Sequence, residues 1–182
     1  EGVYPVRQSE VAVLESGEGS LAARLQFLNA AKRSIRVQAL IFTGDESGVY
    51  IAEILKAKKR EGKDVRVIVD AVSNPGWQSQ WMYYDLKQHH VEVEGYESLY
   101  LGWVNEVSKK EPWRANKRFH DKLWIVDGET EDGVVITGGL NIANEYFRVE
   151  KGNQKKRWRD QDVIARGPVV ADAVKAFDRN YD

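Results

Sequence analysis

The sequence contains no cysteine in its 182 residues, which excludes a disulfide framework, a thiolate nucleophile and any Cys-ligated metal site. Its three histidines, two of them adjacent at His89 and His90, are too few for a His-rich zinc centre. No metal site built on these residues is therefore expected, and no cofactor is expected. No apolar run approaches the roughly 18 residues of a membrane span. An excess of charge is also missing, since 27 basic residues face 28 acidic ones and leave a net charge of −1. That balance removes the global signature of a nucleic-acid binder, although a local basic patch escapes such a count. The chain opens at Glu1 instead of a methionine, so a trimmed N-terminus is expected, with any signal or anchor lying upstream.

What is present suits a globular domain. Hydrophobic residues make up 42% and charged residues 30%, enough to bury one core, and residues 1–182 are read as a single domain. Leu21, Leu25, Phe27 and Leu28 lie on an amphipathic helix that Ser20 can cap. Ile35, Val37, Ala39 and Ile41 alternate with Arg36, Gln38 and Leu40 as in a strand. A second helix carries Ile51, Ile54 and Leu55, opens after Gly44–Gly48 and ends near Gly62. Val65–Val69 is a strand rich in β-branched residues. This strand–helix–strand order predicts a parallel βαβ unit with a helix over the sheet.

Further along, a helix is expected from Gln80 to His89 and a short strand from Val91 to Glu94, followed by a long irregular stretch. Strands resume at Lys122–Val126, Val134–Thr137 and Gln161–Ala165. Gly167-Pro168 then starts a final helix with Val170, Ala173, Val174 and Phe177 on one face.

The chemistry concentrates around His120. If residues 120–126 are extended, His120 and Lys122 point to the same face. An imidazole beside an ammonium is costly in a core, because like charge and burial both disfavour ionisation. The pairing makes sense when an anion sits between them, with lysine neutralising it while the neutral imidazole attacks or moves a proton. Asp127 has the opposite strand parity, so an orienting or structural role at the strand end is expected of it. Gly138-Gly139 directly after a strand lets the backbone approach a ligand closely, and Asn141 offers an amide donor. Lysine, amide and backbone N–H together form a cradle suited to phosphate oxygens.

His120-x-Lys122-x4-Asp127 followed by Gly138-Gly139-x-Asn141 resembles the signature of the phospholipase D superfamily. The resemblance extends to Gln38–Phe42 with Asp45 and Gly48, to Val65–Asp70, and to Trp158-Arg159-Asp160 ahead of Gly167-Pro168, in order along most of the chain. The wording Gly-Gly-Leu-Asn-Ile-x-x-Glu-Tyr is most similar to the bacterial cardiolipin synthase-like branch. The resemblance implies an α/β fold, with a mixed β-sheet flanked by helices on both faces. It also implies a two-step mechanism in which His120 attacks a phosphodiester to give a phosphohistidine that water or an alcohol resolves. Lys122 and Asn141 would hold the phosphate oxygens, and Asp160 would orient the imidazole. A phospholipid substrate and a bacterial membrane or cell-envelope setting follow from the same resemblance.

Two features depart from the family pattern. Ten residues separate Asp127 from Gly138, a longer connection than is usual, and Glu129–Asp132 read as an acidic, solvent-exposed extension of the hairpin turn. More consequentially, family sites normally need two such motifs, the second histidine serving as general acid. This chain carries one, so it is expected to be the N-terminal half of a two-motif enzyme, or one copy of a homodimer acting on DNA. A third alternative, a degenerate domain kept for binding, conflicts with the intact set of His120, Lys122 and Asn141. Lys151–Arg159 carries five positive charges and no negative one, either a solvated loop or a rim that recruits phosphate or an anionic membrane. Trp77, Trp81, Trp103 and Trp113 cluster in the irregular middle. Some are expected in the core, and others on a lipid surface or against a partner domain.

Overall fold

The alternation in the first half of the chain folds into two successive parallel crossovers. The structure, a computed structural model, describes residues 8–70, 73–95, 120–149 and 158–181. Strands β2 (Ser34–Ala39), β3 (Asp64–Val69) and β4 (Glu92–Glu94) run parallel. They are joined by helices α2 (Glu46–Arg60) and α3 (Trp77–Gln88). On the other side of β2 the sheet turns antiparallel through β5 (Leu123–Val126), β6 (Val134–Gly138), β7 (Asp162–Arg166) and β1 (Glu10–Leu14). The seven strands lie in the order β1-β7-β6-β5-β2-β3-β4. The expected mixed sheet and βαβ unit are both present.

Helices cover both faces, and strand periodicity decides which residue meets which layer. Ile35, Val37, Val65, Val67, Trp124 and Ile136 pack with Leu28, Leu55 and Leu86 in the larger core, beneath α1 (Gly17–Ala30), α2 and α3. Ile68, Ile125, Val135 and Ala165 face the other way and meet Val170 and Phe177 of α5 (Pro168–Tyr181). Arg36 and Gln38 share that second face and are buried by polar partners. Arg36 pairs with Glu129 and with Asp178, the latter at 3.4 Å, and Gln38 accepts from Asn180 at 3.1 Å.

Several local expectations are corrected. The cap of α1 is Ser16, whose Oγ accepts the Gly19 N–H at 3.0 Å; Ser20 sits one turn inside, fully buried. Helix α2 begins at Glu46, because Asp45 is its N-cap and accepts the Gly48 N–H at 3.1 Å. Glu129 is not merely solvated: the Ser34 hydroxyl donates to it at 2.6 Å and Arg36 pairs with it. Burial opposes its charge, but these partners hold its carboxyl below the usual range. Trp77 and Trp81 are each 64% exposed, whereas Trp124 is the tryptophan buried among the described residues. Trp103, Trp113 and residues 151–157 of the basic run lie outside the described residues.

Candidate active site

The β5–β6 pairing determines what His120 meets. Leu123 is registered with Thr137, so the residues entering β5 lie beside those leaving β6. The Thr137 hydroxyl donates to the Lys122 carbonyl at 2.8 Å and ties the two segments together. A cavity of about 720 Å³ opens here, lined among others by His120, Lys122, Gly138, Gly139, Asn141 and Asp160. Six of the seven residues singled out in the sequence therefore converge on one space.

Lys122 is 4% exposed, and its ammonium donates to the His120 carbonyl at 2.9 Å. Burial pushes its pKa down, while the charges of Asp160, Asp121 and Asp162 pull it part of the way back. A buried ammonium at a cavity wall is a natural counter-charge for an anion, since a low local dielectric strengthens the attraction. Asn141 is held at both ends of its amide. Its Oδ1 accepts the Ile41 N–H at 3.2 Å, and its Nδ2 donates to the Tyr146 hydroxyl at 3.0 Å. The oxygen is thus turned to the end of β2 and the amide nitrogen towards Tyr146.

The glycine pair acts by close approach. A Cβ at Gly139 would collide with the Asp160 carboxylate, and one at Gly138 with the Gln161 carbonyl and Asp162. Two backbone N–H groups of this turn are already committed, however. The Gly139 N–H is committed to the Gln161 carbonyl at 3.1 Å and the Leu140 N–H to Asp162 at 3.3 Å. Lys122 and Asn141 remain as the donor-bearing side chains of the set. Asp160 stands against Gly139 and accepts the Gln161 N–H at 2.8 Å.

Asp127 is the seventh residue, and it lies at the far end of β5. At ~3.3 Å per strand residue it is on the order of 16 Å from Lys122. It adopts φ +52°, and its carboxylate accepts the backbone N–H groups of Lys32, Arg33 and Ser34 at 2.9, 2.6 and 3.1 Å. Its carboxylate thus pins the α1–β2 connection to the sheet, and Asp127 does not line the cavity that the other six share.

Tyr146 and Trp158 stand in the quoted motif wording without an assigned role, whereas Asp162, Ser20 and Arg24 lie outside it. Tyr146, at the third position of α4 (Asn144–Phe147), lines the cavity and stacks on Trp158 with ring centroids 6.3 Å apart. Trp158 is held further by its indole N–H donating to Glu145 at 2.9 Å, which brings the end of the basic run to the rim. Asp162, Ser20 and Arg24 form a buried polar cluster behind the Gly138–Leu140 turn. Among the described residues, no group of three or more His, Asp or Glu side chains is placed to hold a metal ion. No described helix is long and apolar enough to cross a membrane.

Comparison with known proteins agrees with this architecture. Residues 25–178 match the family model described as cardiolipin synthase, PLD-like domain. Over 170 residues the chain is 33% identical to cardiolipin synthase of Halalkalibacterium halodurans, covering 93% of this chain and 31% of that protein. Against cardiolipin synthase C of Escherichia coli the identity is 30% over 174 residues, covering 92% and 34%. The chain thus spans about a third of the length of these relatives. Among solved structures, the phospholipase D family member Nuc from Salmonella typhimurium superposes with a TM-score of 0.66 at 20% identity, covering 96% of this chain and 95% of that one. NucT from Helicobacter pylori gives 0.62 at 17% identity and covers 94% of each.

Proposed function

The chain belongs to the cardiolipin synthase, phospholipase D-like domain family, and from that premise we propose that it is the catalytic domain of an enzyme that cleaves or exchanges phospholipid phosphodiesters through a phosphohistidine on His120. The observation that carries this reading is the convergence of His120 and Lys122 with the Gly138–Asn141 turn on one cavity. In the first step an imidazole nitrogen of His120 attacks phosphorus. A P–N bond forms, the P–O bond to the leaving alcohol breaks, and the departing oxygen takes a proton from a general acid. In the second step water or an acceptor alcohol attacks the same phosphorus, gives up its proton to the base so formed, and His120 leaves. Lys122 and the Asn141 amide stabilise the charge that builds on the non-bridging oxygens. Gly138 and Gly139 let the phosphate lie close to the backbone, and Asp160 orients the imidazole.

One histidine cannot be nucleophile and first general acid at once. In this reading the acid comes from a second phospholipase D-like domain, with this chain as the N-terminal half of a longer enzyme working at a bacterial membrane or envelope. The exposed rings of Trp77 and Trp81 offer apolar surface for that domain or for lipid. The test is phosphatidyl transfer and headgroup release by the full-length protein. Loss of both in His120→Ala, and loss of an acid-labile, base-stable phosphoenzyme from a radiolabelled phosphodiester, is expected. Full activity in the variant would remove His120 from the mechanism.

A second reading is a homodimeric phosphodiesterase acting on DNA, in which two copies bring their His120 residues together. It is supported by the coverage of 95% and 94% of the Nuc and NucT chains, which have this fold at this chain length. A strict monomer by light scattering that is inactive on DNA would eliminate it.

A further inference from the structure

We propose that α1 is a positioning element for the phosphate side of this cavity, its buried stripe Gly17–Ser20–Arg24 holding the Leu140 turn through Asp162 and the Asn141 support through Tyr146. The inference rests on the phosphate reading above only for its functional consequence.

Positions 17, 20, 24 and 28 follow helical spacing and are the buried residues of α1. Three of the four are not apolar, so particular partners specify this stripe alongside the apolar packing of Leu28. Gly17 lies against the backbone of α4, and a Cβ there would collide with the Tyr146 carbonyl. Tyr146 is the residue whose hydroxyl accepts from the Asn141 amide. One turn on, the Ser20 hydroxyl donates to Asp162 Oδ2, and Arg24 Nη1 pairs with the same oxygen at 2.8 Å. The other carboxylate oxygen accepts the Leu140 N–H. A single helix face therefore reaches both flanks of Asn141, from Leu140 on one side and from Tyr146 on the other.

The energetics indicate that this cluster does more than fill the core. The Arg24 and Asp162 side chains are 1% and 0% exposed. The guanidinium lies 4.8 Å from the Trp124 ring centre and 5.5 Å from that of Phe147. Its Nε and Nη2 have no hydrogen-bond partner among the described residues. A buried pair with incomplete hydrogen bonding is no better for stability than apolar side chains of similar volume. What an apolar pair lacks is an acceptor for the Leu140 N–H and a negative charge near Lys122, on which Asp162 acts to favour the ammonium.

Two double variants separate these roles from simple packing. Arg24→Met with Asp162→Asn removes both charges and keeps an acceptor for Leu140, whereas Arg24→Met with Asp162→Leu removes the acceptor as well. Tungstate, a tetrahedral oxyanion, is titrated while the His120 ring resonances and the Leu140 amide exchange rate are followed. The Asn double is expected to bind within about threefold of wild type, and the Leu double about tenfold more weakly or worse with faster Leu140 exchange, the cost of one buried donor left unpaired. Equal affinity and equal Leu140 protection in the two doubles would overturn the proposal. If wild type fails to bind tungstate while Leu140 exchange still separates the doubles, the phosphate reading falls and the positioning stands. Should either double fail to fold, Ser20→Ala carries the test: faster Leu140 exchange supports the proposal and an unchanged rate overturns it.

Discussion

The Asn141 side chain donates to the Tyr146 hydroxyl at 3.0 Å, so the amide that faces the cavity is oriented by a phenol five residues away in sequence. The opposite end of the same amide is fixed by the Ile41 N–H. Tyr146→Phe removes one restraint and leaves the ring and its stacking on Trp158 in place. A loss of one hydrogen bond of about 1 kcal/mol predicts roughly a fivefold fall in kcat with little change in KM, measured by steady-state kinetics on the full-length enzyme.

In the proposed mechanism Lys122 governs the alkaline side of the pH profile. Burial lowers its pKa, so the limb reporting loss of the ammonium should fall below the ordinary lysine value of about 10.4. Asp121 opposes that shift, so Asp121→Asn should move the limb to still lower pH. The linkage to stability has the opposite sense. The folded chain holds this proton less tightly than the unfolded chain, so stability rises with pH through the window between the depressed and the ordinary value. Rate–pH profiles and urea titrations at several pH values check the two directions.

Gly139 sits directly against the Asp160 carboxylate. Gly139→Ala must displace that carboxylate or the turn, and misplacement by about 1 Å at such a site lowers turnover on the order of 10²-fold. A glycine-to-alanine change elsewhere on the surface serves as the control, and near-normal turnover in Gly139→Ala would refute the close approach.

Asp127 makes a different prediction despite standing in the same motif. Asp127→Ala strips the acceptor from three backbone N–H groups at the α1–β2 connection. A destabilisation of about 2–4 kcal/mol follows, read as a lower denaturation midpoint at unchanged slope. Activity well below the melting transition should remain close to wild type, because the carboxylate lies at the other end of β5 from His120.

Much of this was legible in the chain itself. The alternation at Ile35–Ala39 and Val65–Val69, the apolar face of Val170–Phe177 and the closeness of His120 and Lys122 are local patterns, and local periodicity is what a sequence displays. Helix starts were less legible because several nearby serines and aspartates can cap. Ser16 and Asp45 prevailed through hydrogen bonds that depend on where the helix is held.

The sequence by itself determined the family, most of the residues that meet at the cavity and the order of elements apart from β1 and the short α4, because those signals lie within a few positions of one another. Tertiary structure alone decided which aspartate serves which purpose. Asp127 became an anchor for backbone N–H groups some 93 to 95 positions away, and Asp162 a partner for Ser20 at a separation of 142. In the sequence Ser20 reads as a helix cap, and Arg24 belongs to no motif. They are buried here because β7 brings a carboxylate to meet them, and no local pattern encodes a partner supplied from that distance.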